Sequence, residues 1–414
     1  MFERWRHNLL PLGLDIGRTG LRGVQLRRQG ARWVVHAAWE LGAAGGQAAP
    51  WEAALTEPAD GPDLTAAERE LVAHLRRLLA RGSFVGREVV VHCPAERLDL
   101  RPVELPAGSD GLPRDAVLGA LRLEMAGQLA FAPDQAVFDY FPLAMVPSVG
   151  RMRLIAVTAD GAWIRRRLRL LQAAGLDCTA VEALPCVLAR LAGWLAAAAP
   201  PPAGVPAEAG LRPLTALVDV GYSGSTLIAA EPCGPVFCRR YPLGGREMTR
   251  LLAERLGVGE PAAERLKRTY GIDCQSRQLR AAPQTAPASG AEPAAEAVSS
   301  GGAGPEDRPD HEIGKTIFAA LAGGLAGWVE GLTRALNYVV AREAHLRLEK
   351  VLLYGRGAYT RNLGVFLTRQ FGLPVQHAEG ELLRQITSCL PCTRACEGSW
   401  TTALGLALPR EVRP

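Results

Sequence analysis

At 414 residues the chain is longer than one hydrophobic core ordinarily covers, so two or more domains are expected. With 48% hydrophobic and 21% charged residues it is globular in composition, and its net charge of +5, mostly arginine spread along the chain, does not demand a nucleic-acid surface. No apolar run has the length to cross a bilayer, the nearest being Ile317 to Val329, and nine cysteines without disulfide spacing fit reduced thiols.

Met1 to Pro11 sets Phe2, Trp5, Leu9 and Leu10 among Arg4, Arg6 and His7, which fits either a frayed terminus or a surface-touching segment. It has no signal peptide's apolar core, so the protein is expected in the cytoplasm. Leu12 to Leu26 (LGLDIGRTGLRGVQL) then reads as strand, tight turn and strand, with Trp33 to Leu41 completing a meander. Gly42 to Pro62, rich in Gly, Ala and Pro, reads as loop. In Thr65 to Arg81, Thr65 caps a helix with Glu68 three residues on, and Leu71, Val72, Leu75, Leu78 and Leu79 form one stripe. Glu88 to Cys93 is a buried strand.

From Arg97 the order strand, helix, strand, strand, helix (98–105, a helix through Met125, 137–142, 152–158, 160–174) predicts a compact α+β unit inserted in a larger fold. Cys178 to Val181 resumes the host sheet and leads into a helix over Ala183 to Trp194. Beyond a proline-rich link, Ala216 to Ala229 (ALVDVGYSGSTLIA) nearly repeats the first hairpin, followed by a strand at 236–242, the pair Gly244 and Gly245, and helices at 247–256 and 260–270. The segment from Cys274 to His311 lacks large apolar groups and cannot offset its ordering cost, which predicts disorder. A long helix (314–344), a buried strand (350–354), the turn Gly355-Arg356-Gly357, a helix to Phe371, a strand near 374–376 and a closing helix (399–408) complete the chain.

These readings give a first domain over 12–96, an inserted module over 97–176, a return to the first domain over 177–195 and a Pro/Ala-rich linker over 196–213. A second domain follows over 214–274 and 313–408, interrupted by a disordered insert at 275–312. Each hairpin delivers an Asp, then x-Gly, then small or hydroxyl residues. Its glycines (Gly17 and Gly20; Gly221 and Gly224) permit positive φ and let backbone N–H groups point at an anion. An Asp beside each turn can hold a hydrated divalent cation, so two such hairpins across a cleft would grip a nucleoside triphosphate and its Mg²⁺ from both sides.

The paired hairpins resemble the actin-like ATPase superfamily, a duplicated α/β fold with two domains around a nucleotide cleft. Within it the chain is most similar to the type IV pilus assembly protein PilM family, with the division protein FtsA more distant. The resemblance rests on DIGRTGLRGVQL, ALRLEMAGQLAFAPDQAVFDYFPL, GLDCTAVEALPCVLAR, the run from VDVGYSGSTLIAA through LGGREMTRLLAERLGVGEPAAERLKRTYG, and TALGLAL. It implies ATP and Mg²⁺ as cofactors. Asp15, Gly17 and Thr19 would form the first phosphate loop, and Asp219, Gly221, Ser223 and Thr226 the second, with Mg²⁺ held through water by Asp15 and Asp219. Arg22 stands where the family usually has Lys. Gly244 and Gly245 would pass under the nucleotide, Glu264 and Lys267 would contact ribose and adenine, and Gly355 and Gly357 would form the adenosine turn, interrupted by Arg356. From the residues alone, Glu264 and Lys267 could equally be an exposed ion pair.

Glu182 resembles the carboxylate that positions attacking water in the chaperone branch, the catalytic candidate of a weak ATPase; read locally it is equally a helix N-cap. As partner the resemblance implies a PilN-like inner-membrane protein, whose cytoplasmic N-terminal peptide would lie in a groove near Leu118 to Gln128. It also implies contact with other pilus-machinery ATPases, and a peripheral place at the inner membrane through partners. A small-molecule kinase on the same fold and an FtsA-like membrane-tethered filament protein are the alternatives; the inserted unit speaks against the first and the tail LGLALPREVRP, without an amphipathic helix, against the second. Gly314-Lys315-Thr316 fails as a Walker loop because no strand precedes it. Cys389, Cys392 and Cys396 offer three thiolates, fitting either a small reduced loop or a metal.

Overall fold

The computed structural model describes residues 8–42, 48–56, 61, 63–106, 112–129, 135–142, 151–198, 211–231, 234–272, 308–343, 345–378, 381–389 and 400–410. Apolar alternation and tight turns give the meander β1 (Leu12–Gly17), β2 (Gly20–Gln29) and β3 (Arg32–Gly42), with Gly17 opposite Gly20 across the two-residue turn Arg18-Thr19. A short helix, α1 (Ala53–Thr56), stands where loop was expected. Helix α2 (Ala66–Arg81) starts at a reciprocal cap: Glu68 N donates to Thr65 Oγ1 (3.2 Å) and Thr65 N to Glu68 Oε2 (2.7 Å). It crosses over to β4 (Glu88–Cys93), which runs parallel to β1, and β8 (Asp177–Ala183) closes the sheet in the order β3-β2-β1-β4-β8.

Between β4 and β8 lies a separate three-stranded sheet, β5 (Leu98–Pro106), β7 (Arg151–Asp160) and β6 (Ala136–Pro142), covered by α3 (Arg114–Met125) through Val117, Leu121 and Met125. The next helix, α4 (Gly161–Ala173), expected with that unit, instead places Leu170 and Leu171 in the first half's core beside Leu71, Leu75 and Val89.

The second half repeats the first. Strands β9 (Arg212–Val220), β10 (Ser225–Glu231) and β11 (Gly234–Tyr241) form the meander, and β12 (Leu346–Tyr354) and β13 (Val375–His377) add in parallel, giving β11-β10-β9-β12-β13. Helices α6 (Gly245–Leu256), α7 (Glu260–Tyr270) and α8 (Arg308–Arg342) pack on it, followed by α9 (Leu363–Phe371) between β12 and β13. Helix α8 begins earlier than the sequence indicated, inside the stretch assigned to the 275–312 insert; the rest of that insert, residues 275–307, lies outside the described residues. By length and composition Glu312–Arg342 could cross a membrane, yet Ile317, Leu321, Leu325, Trp328, Leu332 and Leu336, three or four apart, all lie in the second half's core. Lys315 and Thr316 are inside this helix, both bonded to Glu312, so no phosphate loop forms there.

Helices α5 (Leu184–Ala198), α10 (Glu381–Cys389) and α11 (Thr401–Ala407) join the two sheets, α10 being unforeseen. Leu184, Leu188, Leu191 and Leu404 pack with Val24 and Leu26 of the first sheet and Leu217, Ile228 and Leu352 of the second. Each buried leucine contributes about 1.5–3 kcal/mol to this seam, which holds the two sheets together beside the cleft. The chain before β1 is tied down from residue 8, with Leu10 N donating to Leu26 O and Arg28 N to Asn8 O. Residues 1–7, linker residues 199–210, Cys392 and Cys396 lie outside the described residues, as does the Cys389 side chain, so the thiolate cluster is not seen.

Candidate functional site

The first hairpin turn needs its glycines for close approach, not for handedness. Neither Gly17 and Gly20 nor Gly221 and Gly224 has positive φ, contrary to the sequence expectation. A Cβ on Gly20 would lie 2.8 Å from the Leu41 carbonyl oxygen, and one on Gly224 2.6 Å from that of Tyr241. In each half the third strand of the meander presses on the turn, and only glycine fits beneath it.

Asp15, on β1, faces the strand end that carries His92. Its Oδ1 is 3.1 Å from His92 Nε2, and its Oδ2 accepts from Arg22 (3.3 Å), whose Nε donates to Glu40 (2.9 Å). Arg22 is thus a buried fork between two carboxylates, an arrangement a Lys could not reproduce. Burial pushes the Asp15 carboxyl up, but the hydrogen bond and charge of His92, with the Arg22 guanidinium, outweigh it and hold the group below its ordinary range.

Asp219 is the equivalent residue on β9 and has the opposite surroundings. Among the described residues no hydrogen bond or ion pair reaches its carboxylate, and burial together with the Asp15 charge pushes it up to about 6. The turn after β12 packs against it: Gly355 has φ 78°, and a Cβ there would sit 2.5 Å from Asp219 Oδ1. A side chain on Gly357 would strike Val220 (2.5 Å). The Gly-Arg-Gly turn therefore lies directly on the second hairpin, as only glycines allow.

On α7, Lys267 is buried and donates to Glu264 Oε2 (2.6 Å), Thr249 Oγ1 (2.7 Å) and the Gly245 carbonyl (2.8 Å). Burial draws its pKa down, against the opposing pull of Glu264. The pair is thus a buried network tying α7 to the first turn of α6, not an exposed surface bridge. Arg356 has no hydrogen-bond or ion-pair partner among the described residues; burial, with Arg22 and Arg268 nearby, pulls its pKa down.

These groups border one cavity of about 460 Å³ between the halves, a volume typical of small-molecule sites. Asp15, Gly17, Thr19 and Arg22 line it from the first half; Asp219, Gly221, Ser223, Gly245, Glu264, Lys267, Gly355 and Gly357 line it from the second. Thr226 does not, being paired opposite Asp219 and Arg240 inside the sheet. Gly244 stands behind the wall, where a Cβ would meet Gly224 N at 2.3 Å, and caps α6. Glu182 is also outside: its carboxylate is in salt bridges with Arg190 (2.7 Å) and Arg410 (3.2 Å), which removes it as the water-positioning group. Sequence reasoning missed His92, Trp163, Arg167 and Tyr222, which also line the cavity. His92 had a signal, since it ends a parallel strand, where the ligand crevices of α/β sheets lie.

No model of a known protein family matches the chain, and no curated protein does. Solved structures do. A chain of the PilM-PilN type IV pilus biogenesis complex superposes with a TM-score of 0.67 over 96% of this chain and 97% of that one, at 20% identity. The chain has an actin-like ATPase fold. Weaker likenesses are the ethanolamine utilization protein EutJ from Carboxydothermus hydrogenoformans (TM-score 0.43, 12% identity, 96% and 88% covered) and MreB5 of Spiroplasma citri bound to AMPPNP (TM-score 0.40, 11% identity, 91% and 92% covered).

Proposed function

We propose that the protein is an ATP-binding scaffold of type IV pilus assembly, cytoplasmic and held at the inner membrane through a PilN-like partner. The observation that carries the nucleotide reading is the convergence of both Asp-Gly hairpins and the Gly-Arg-Gly turn on one cavity. The residues fit the ligand. Asp219 is a half-buried carboxylate close enough to Asp15 for the two to repel, and the pair is a donor set suited to a hydrated divalent ion. The two hairpin turns would hold the phosphates, and Gly245, Glu264, Lys267, Gly355 and Gly357 the nucleoside. Bound Mg²⁺ would neutralise phosphate charge. Arg22 and His92 keep Asp15 ionised and oriented for that ion.

The partner reading is supported by the likeness to a chain of the PilM-PilN complex and by the inserted sheet with its helix α3. On that helix Val117, Leu121 and Met125 are core, whereas Leu123 is 82% exposed. The PilN-like peptide is proposed to lie along this face.

Calorimetric titration with ATP and Mg²⁺ tests the first part. Wild type should bind, and Asp219→Ala should bind at least tenfold more weakly with Mg²⁺ while changing little without it. Absence of binding to either protein would overturn the nucleotide reading. For the partner, fluorescence anisotropy with a labelled peptide from the cytoplasmic N-terminus of a PilN-like protein should show saturable binding that Leu123→Glu weakens; no binding to wild type would overturn it.

A further inference from the structure

Two consecutive arginines on α4 have the same burial and opposite fates. Arg166 is fully used: its guanidinium binds Glu68 at both oxygens and donates to the carbonyls of Gly61 (2.7 Å) and Asp63 (2.8 Å). Arg167, 6% exposed, has none of this. Its guanidinium carbon lies 4.9 Å from the centre of the Trp163 ring, one turn back on the same helix, and its NH1 atom is buried without a hydrogen-bond partner. Among the described residues no carboxylate pairs with it. Glu68 is committed to Arg166 and to the helix cap, and Glu96 to Arg18 (3.3 Å).

Arg167 is also the one of the pair that faces the cleft. Together with Trp163 it lines the cavity wall beside the end of β4, next to His92, Pro94 and Glu96. Burial brings its pKa down to about 10, so it stays charged at neutral pH. The Cys93 thiol beside it is pushed up to about 12 by burial and stays neutral, so it cannot be the counter-charge. A buried, unpaired guanidinium is costly, and the cost falls when an anion enters. Its planar fork of N–H donors matches an oxyanion.

We propose that Arg167, seated on Trp163, anchors a second oxyanion subsite in the cleft, on the first-half wall, and that the subsite takes a phosphoryl group. The two sources of that chemistry are the terminal phosphoryl of a bound nucleoside triphosphate and free orthophosphate. Only the first source rests on the nucleotide reading above.

The full-length protein is titrated with orthophosphate alone, with ADP, and with the non-hydrolysable triphosphate AMPPNP, comparing wild type, Arg167→Met and Arg167→Lys. Arg167→Met keeps the packing stem and removes the fork. Wild type should bind orthophosphate, Arg167→Met at least tenfold more weakly, and ADP affinity should stay within twofold. If AMPPNP excludes orthophosphate and its affinity falls tenfold in Arg167→Met, the terminal phosphoryl uses the subsite. If orthophosphate binds alongside AMPPNP, the subsite is for the free ion. Should Arg167→Met not fold, Arg167→Lys is read in its place, with at least threefold weaker phosphoryl binding expected. Unchanged affinity for both orthophosphate and AMPPNP in a folded variant overturns the proposal, as does a wild type that binds neither. Wild type binding orthophosphate through Arg167 but not ADP would sink the nucleotide reading and leave this subsite standing.

Discussion

The two hairpins that frame the cleft share a pattern of residues and differ in their electrostatics. In the first, Asp15 is satisfied within the protein by Arg22 and His92. In the second, Asp219 occupies the matching place with no such partners, and burial pushes it up to about 6. Strand β2 supplies Arg22 opposite Asp15, whereas β10 supplies Thr226 opposite Asp219. One difference in the pairing strand thus accompanies the difference between a carboxylate paired within the protein and one that is not.

Three experiments would break or sharpen that contrast. Asp15→Ala should have the largest effect, because it strips a buried Arg22 of one partner and His92 of another; a loss of about 3 kcal/mol is expected, read from the urea midpoint. Asp219→Asn should go the other way. Removing a charge that repels Asp15 should raise the stability of the nucleotide-free protein by about 1–2 kcal/mol while abolishing the Mg²⁺ dependence of ATP binding. Equal losses in the two variants would erase the distinction.

The smallest effect is in pH. A carboxyl whose folded pKa is raised favours the folded state below its ordinary unfolded value of 3.8, and loses that contribution as pH rises through about 6. The stability gap between Asp219→Asn and wild type should therefore close as pH falls from 7 to 5, and the Mg²⁺-induced rise in Tm of wild type should shrink over the same range. A gap that is flat with pH would mean that Asp219 is not the titrating group.

Much of this was legible from the amino-acid order. The hairpins, the capping box at Thr65 and Glu68, and the Glu264–Lys267 pair are local patterns, with causes a few residues apart in the chain. What could not be read depends on distant packing. Glu182 was indistinguishable from a site residue until Arg190 and Arg410 were seen to hold it. The hairpin glycines looked like positive-φ residues, but the constraint on Gly20 and Gly224 is the carbonyl of Leu41 or Tyr241 on the third strand of each meander. Arg167 sat unnoticed in a run of arginines, because only the fold shows that Arg166 takes the available carboxylate. Helix α8 appeared shorter because its first turns, Arg308 to Glu312, are polar and follow a stretch without apolar period.

Helix α11 rests on strand β1. A Cβ on Gly13 would lie 2.3 Å from the Ala403 carbonyl oxygen and 2.4 Å from the Ala407 amide nitrogen, so the two backbones touch. During synthesis strand β1 therefore waits, one face uncovered, until Thr401–Ala407 has left the ribosome. Nascent chains of this protein should depend on chaperone shielding until α11 has emerged, and a stop codon just upstream of Thr401 should yield an insoluble product rather than a shorter working one.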